Sequence, residues 1–144
     1  RDVLRARAAL EAAGARAWPN APADRQDAVR QAVDAFSHTA SSGASPAAVT
    51  AAHLDIHRAL VGLTGSERLL ATADALNAEI RLALARVDRV RRNSREQVDA
   101  HRDLVTLLEE GRTADAEREL EQHLAAAEMS LVEAIHQRPR RRRA

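Results

Sequence analysis

Apolar residues recur every three or four positions along most of the chain, which predicts amphipathic α-helices. Six segments follow this pattern, and turn or capping residues separate them. They run over about 2–17, 22–39, 46–64, 66–92, 94–110 and 113–137. Pro22 and Pro46 fall in first turns, where the missing N–H of proline costs nothing, and Ser45 is the expected N-cap before Pro46. Because short loops favour antiparallel neighbours, the pattern predicts an all-α, antiparallel bundle.

The composition agrees with one globular helical domain. Hydrophobic residues make up 45% of the 144 residues, charged residues 30% and aromatic residues only 1%. The core must therefore be built from aliphatic side chains, which suits close-packed helices better than sheets. The chain has no Cys for disulfides or thiolate metal ligands. No apolar run approaches the roughly 20 residues that span a bilayer, and no signal peptide opens the chain. We therefore expect a cytoplasmic protein without a membrane partner.

The basic residues are unevenly distributed. Five of the 22 lie in the last seven positions, and the rest of the chain has fewer basic residues than its 21 acidic ones. We therefore divide the chain into a folded domain at 1–137 and an Arg-rich tail at 138–144. An acidic body is a poor partner for phosphates, so any contact with nucleic acid falls to the tail. Such a run is also typical of a disordered, solvated chain end.

Four of the six histidines occupy helix positions where an apolar residue is expected. His53 and His57 lie one turn apart on one face of the third segment. His101 and His123 lie on the inward stripes of the fifth and sixth segments. The stripes read Val49, His53, Ile56, Leu60 and Leu63; Val98, His101, Val105 and Leu108; and Ala116, Leu120, His123, Ala127 and Leu131.

Two interpretations of these histidines remain open. Each can be a core histidine with its own hydrogen-bonding partner, because a buried imidazole without one costs about 1–3 kcal/mol. A shared cation satisfies several imidazoles at once, and neutral imidazole is a common ligand of zinc, nickel, cobalt and ferrous iron. The spacing alone does not exclude catalysis by such a cluster.

Several runs of the sequence resemble the FCD domain, the effector-binding half of FadR-subfamily GntR regulators. HLDIHRAL at 53–60 and LTGSERL at 63–69 are similar to the family's D-x-x-F-H-x-x-L and its following glycine motif. HRDL and LEEG within 101–111 and AERELEQHL at 116–124 are similar to its two later histidine motifs. RAALE at 7–11 is similar to its opening helix. The likeness covers about residues 2–135 in order.

The resemblance implies a bundle of six or seven helices with a central cavity that holds a metal ion and an effector. In metal-binding members, an aspartate and three histidines coordinate a divalent cation, often zinc or nickel. The three histidines correspond to His57, His101 and His123, and the aspartate position is His53. A fourth imidazole in place of a carboxylate favours zinc or nickel over magnesium or manganese. Alternatively, His53 points away and three ligands remain.

The resemblance also implies partners. Family effectors are commonly small carboxylates, and Arg7 and Arg81 match positions of effector contacts, with Asn77 as a further polar candidate. The alternative for each arginine is an exposed helix position. We expect a homodimer, and we expect DNA binding to belong to a winged helix-turn-helix that this sequence does not include.

Two other functions remain as alternatives. One is a metal-dependent helical-bundle enzyme, which needs a general acid or base beside the metal. The inward stripes around the histidines carry no Asp or Glu, so we predict no catalytic residue. The other is a metal-free helical interaction module with structural histidines.

Overall fold

A computed structural model describes residues 2–84 and 94–136 of the chain. This part contains six α-helices and no strand, which confirms the predicted all-α bundle. The helices are α1 (Asp2–Ala17), α2 (Ala23–Ser41), α3 (Pro46–Gly62), α4 (Glu67–Leu84), α5 (Ser94–Glu109) and α6 (Thr113–His136). Among these helices, none is both long and apolar enough to cross a membrane. The predicted extension of the fourth helix to residue 92 and the tail at 138–144 lie outside the described residues.

Local signals set most of the helix ends. The Ser45 side chain accepts a hydrogen bond from the Ala48 amide at 3.2 Å, so α3 begins at the predicted cap. Gly65 and Gly111 have φ values of 70° and 72°, the left-handed conformation that ends a helix. The first-turn position predicted for Pro22 is wrong. Its ψ of 149° is extended, so it is the N-cap residue just before α2.

The main apolar core lies where α1, α2, α3, α5 and α6 meet. Its buried members are Ala15, Trp18, Val29, Leu60, Leu63, Leu104, Leu108, Ala116, Leu120 and Leu124. Trp18 is the single tryptophan of the chain, and the guanidinium of Arg30 lies 5.2 Å from its ring centroid. This arrangement joins helices that are distant in sequence through aliphatic packing, as the composition predicts.

A close crossing brings α1 against α3. A Cβ atom at Gly14 would overlap the carbonyl group of Leu60, so only glycine fits at this position. Gly14 lies three residues after Glu11, and Leu60 lies three residues after His57. The crossing therefore places the Glu11 and His57 side chains next to each other in the interior.

Candidate metal centre

The fold gathers the four inward-facing histidines into one group, here called the histidine cluster. His53 and His57 come from α3, His101 from α5 and His123 from α6. One nitrogen of each ring can be chosen so that all four lie within 4.8 Å of one another. His57 and His101 are buried, whereas His53 and His123 are half-buried. Four imidazoles from three helices could therefore hold a metal ion.

The nitrogen separations suit a small coordination sphere. The Nε2 atom of His57 lies 3.1 Å from Nε2 of His53 and 3.3 Å from Nε2 of His101. With metal–nitrogen bonds of about 2.0–2.1 Å, the edges of a tetrahedral site are about 3.3–3.4 Å long. The cluster thus already has two ligand edges of about the right length for zinc.

A hydrogen bond fixes the protonation of His101, and a second one does the same for His57 when Glu11 is ionised. Nδ1 of His101 lies 2.5 Å from the main-chain oxygen of Gln97, which can only accept. His101 therefore carries its proton on Nδ1 and presents the Nε2 lone pair to the cluster. His57 is in the same state when ionised Glu11 accepts its Nδ1–H, over a distance of 2.7 Å. Two lone pairs then face each other across 3.3 Å, and a shared cation relieves their repulsion.

The surroundings keep the rings neutral. Burial, with smaller effects of the neighbouring histidines and of Arg7, holds the pKa values of His53 and His57 well below their usual range. Burial also lowers the pKa of His101 to about 4 and that of His123 to about 3. Neutral imidazoles are the form that binds a metal ion, because protonation removes the free lone pair.

Phe36 of α2 closes one side of the histidine cluster. Its ring stacks on that of His53, with centroids 4.9 Å apart and planes inclined by 18°. It also meets His101 edge-on at 6.1 Å. Phe36 is fully buried, so it gives one half-buried histidine a rigid apolar support.

Glu11 is a functional candidate that the sequence analysis missed. It is fully buried and contacts the cluster through His57. Its other oxygen accepts a hydrogen bond from Nε of Arg7 at 2.5 Å. Burial raises the pKa of Glu11 to about 7, against the opposing effects of Arg7. The periodicity of α1 contained a signal, since Arg7 and Glu11 lie on the same stripe as Leu4 and Trp18.

The three predicted effector-binding residues lie in different environments. Arg7 is buried, and its positive charge lowers the pKa of all four histidines. Asn77 is also buried, and its side-chain amide lies 3.5 Å from the main-chain oxygen of Leu54, next to His53. Arg81 is exposed on α4. In the described residues, no hydrogen bond or ion pair joins Asn77 or Arg81 to the histidine cluster.

Known proteins provide two similarities. A model of the FCD domain family matches residues 2–126. The fold also resembles the crystal structure of a candidate transcriptional regulator, GntR, from Rhodococcus sp. RHA1, with a TM-score of 0.82 and 22% sequence identity. That match covers 92% of this chain and 63% of the regulator, so the present chain spans less than two thirds of the regulator's length. No match was found among curated proteins.

Proposed function

This chain belongs to the FCD domain family, and on that basis we propose that it is the effector-sensing and dimerisation domain of a GntR/FadR-type bacterial transcription regulator. It binds a divalent metal ion and a small organic acid, and the acid modulates DNA binding by a winged helix-turn-helix elsewhere in the full protein. The observation that carries the proposal is the histidine cluster, with its four nitrogens within 4.8 Å.

The proposed metal ligands are His53, His57, His101 and His123. An all-imidazole set favours zinc or nickel, because magnesium and manganese prefer oxygen ligands. The bound ion supplies a Lewis-acidic centre that attracts a carboxylate oxygen. The protein holds the imidazoles neutral, and hydrogen bonds on Nδ1 of His101 and of His57 direct the Nε2 atoms of these two rings to the cluster, which prepares the site before the ion arrives.

The charges around the cluster support an anionic effector. With four neutral ligands, a divalent ion brings two positive charges into the interior, and Glu11 already compensates Arg7. Buried charge is costly unless it is paired, so a carboxylate from solution stabilises the loaded site. Of the three proposed effector contacts, Arg7 is the one whose charge lowers the pKa of all four histidines. Asn77 and Arg81 remain proposed effector contacts. They lie on α4, so the effector must extend from the histidine cluster to that helix to reach them.

The proposed switch connects the effector to α1. Arg7 belongs to α1, whereas the metal ligands belong to α3, α5 and α6. An acid that binds both the metal and Arg7 favours the arrangement in which α1 lies at the distance from α3, α5 and α6 that the acid can bridge. A ligand shifts such an equilibrium only by its different affinity for the two states. The regulator is proposed to act as a homodimer, so that a shift of α1 changes the spacing of two DNA-binding heads.

Two alternative functions are less well supported. An enzyme needs a general base close to the metal, but both oxygens of Glu11 are occupied by Arg7 and His57. A metal-free interaction module leaves the lone pairs of His57 and His101 facing each other without a shared cation whenever Glu11 is ionised. Metal content separates this second alternative from the proposal, and turnover assays separate the first.

The first experiment measures metal content in the purified, untagged domain. We expect about one equivalent of zinc or nickel in the native protein, and none in His101→Ala or His123→Ala. His38→Ala is the matched control, because His38 is an exposed histidine of α2 outside the cluster. Absence of metal from the native protein after reconstitution would overturn the metal proposal and favour the interaction module.

A second experiment screens small carboxylates by thermal shift with the metal-loaded domain. We expect stabilisation by a subset of the acids, and its loss on removal of the metal or in Arg7→Gln. Asn77→Ala and Arg81→Ala test whether the effector also contacts α4. A screen in which no acid stabilises the loaded domain, or in which stabilisation survives metal removal, contradicts the joint site.

A further inference from the structure

We propose that Glu11 is a positioning residue for the metal site, which acts by fixing the orientation and protonation of His57. This inference rests on the proposed function, because it assumes that His57 is a metal ligand. Glu11 is not itself a ligand in this arrangement. It contacts the opposite nitrogen of the ring from the one that faces the other histidines.

The position of Glu11 suits this role. Its side chain is fully buried, and Oε2 lies 2.7 Å from Nδ1 of His57. An ionised carboxylate can only accept, so it holds the His57 proton on Nδ1 and leaves Nε2 free. A carboxylate that accepts from the far nitrogen also makes the imidazole a more basic ligand.

Arg7 keeps the carboxylate in place. The Arg7 Nε–H donates to Oε1 of Glu11, one helical turn away on α1. The two oxygens therefore have separate partners, and rotation of the carboxylate breaks one of the two hydrogen bonds. The histidine, the glutamate and the arginine form a chain of buried polar contacts from α3 to α1.

The other buried histidine shows what Glu11 adds. Nδ1 of His101 is held by a main-chain oxygen of its own helix, so its protonation does not depend on another helix. His57 depends on a side chain that is 46 residues away in sequence. Loss of the Glu11 carboxylate therefore affects the protonation of one ligand while leaving the other unchanged.

The first test compares the zinc affinities of Glu11→Gln and the native protein by competition with a chelator. A glutamine amide can donate to Nδ1 as well as accept, so the variant also permits the His57 form whose Nε2 is protonated. We expect affinity to fall about 10–100-fold, as is usual when a hydrogen-bonding partner of a metal ligand is removed. The matched control is Glu117→Gln, which removes a carboxylate that bonds Arg16 of α1 without contacting a histidine. A change of less than about threefold in Glu11→Gln overturns the proposal.

The second test needs no metal. Nitrogen NMR of the metal-free protein, at a pH where Glu11 is ionised, reports which nitrogen of His57 carries the proton. We expect Nδ1–H in the native protein and a mixture of forms in Glu11→Gln, with His101 unchanged. Native His57 protonated on Nε2 overturns the proposal even if the domain binds zinc. If the native domain binds no metal, the proposed function fails, and this measurement still decides whether Glu11 fixes the ring.

A third variant guards against misfolding. Glu11→Gln leaves Arg7 buried without its counter-charge, and circular dichroism shows whether the helices persist. If they do not, Glu11→Asp keeps the charge for Arg7 but withdraws the carboxylate from His57 by one methylene. We expect a folded protein with weakened zinc affinity and a mixed His57 signal. Native affinity and a native His57 signal in the aspartate variant contradict the proposal.

Discussion

The apolar core and the histidine cluster are neighbours that share helices α3, α5 and α6, yet their side chains differ in what they contribute. In α5, Leu104 and Leu108 belong to the apolar core, and His101 belongs to the cluster. In α3, Leu60 and His57 are likewise one turn apart. The core gains stability from aliphatic contacts in every direction. The cluster instead buries polar rings, and the Nε2 atoms of His57 and His101 lie only 3.3 Å apart.

This difference indicates where stability and function are separated in the bundle. Buried polar groups that lack some of their hydrogen-bonding partners lower the stability of the fold. Such groups are kept where a ligand supplies the missing partner. The fold therefore relies on its apolar core for stability, whereas the histidine cluster is the proposed site for a cation. Variants in the two regions should accordingly change stability and metal binding independently.

The largest predicted effect comes from the apolar core. Leu108→Ala removes a fully buried side chain, and we expect a loss of about 2–5 kcal/mol in the free energy of unfolding. Urea denaturation measures the loss, and zinc binding to the folded fraction should keep its native stoichiometry. Leu82→Ala is the control, because Leu82 is 71% exposed and its truncation should cost under about 0.5 kcal/mol. Equal effects of the two variants contradict the assignment of the core.

An intermediate effect is expected where the two regions share a support. Gly14→Ala forces α1 away from the Leu60 carbonyl, at a cost of about 1–3 kcal/mol for overpacking. Because the same crossing brings Glu11 to His57, zinc affinity should also fall. Gly62→Ala is the matched control, since a Cβ at Gly62 meets nothing within 4 Å. Thermal unfolding and zinc titration of the pair test this, and native behaviour of Gly14→Ala would show that the crossing tolerates a methyl group.

The smallest effect has the opposite sign. His53→Leu replaces a half-buried imidazole with an apolar side chain that packs on Phe36. We expect the metal-free protein to become more stable by about 0.5–2 kcal/mol, as when a functional polar site is filled. Zinc affinity should fall at the same time, as one proposed ligand is lost. A metal-free variant less stable than the native protein would mean that His53 stabilises the fold by itself.

Local signals made the helices predictable. Helix ends depend on residues that are neighbours in sequence, so the sequence alone predicts them. Examples are the bounds of α1, the cap at Ser45 and the glycines Gly65 and Gly111. Pro22 was placed one step too far into its helix, because proline fits both the N-cap and the first turn. The inward stripes also predicted which histidines would meet, since a helix face is set by spacing alone.

The environment of the histidine cluster was harder to predict. Glu11 and Arg7 lie on the apolar stripe of α1, but opposite charges at this spacing are also typical of exposed helix pairs, so the pattern alone does not decide that both are buried. Their burial depends on the approach of α1 to α3, which depends in turn on Gly14. The stack of Phe36 on His53 likewise joins two helices, and no local pattern encodes it. Contacts between helices therefore account for most of what the sequence did not show.

The solitary indole of Trp18 has a practical consequence for work in solution. The chain has no tyrosine and one phenylalanine, so fluorescence excited selectively in the indole band comes from this one ring. The ring belongs to the same core as Leu104 and Leu108 of α5 and Ala116 and Leu120 of α6. The wavelength and intensity of the Trp18 emission therefore depend on the packing of α5 and α6, the helices that carry His101 and His123. The protein contains its own optical probe, and a rearrangement of these helices becomes visible without a dye or a label.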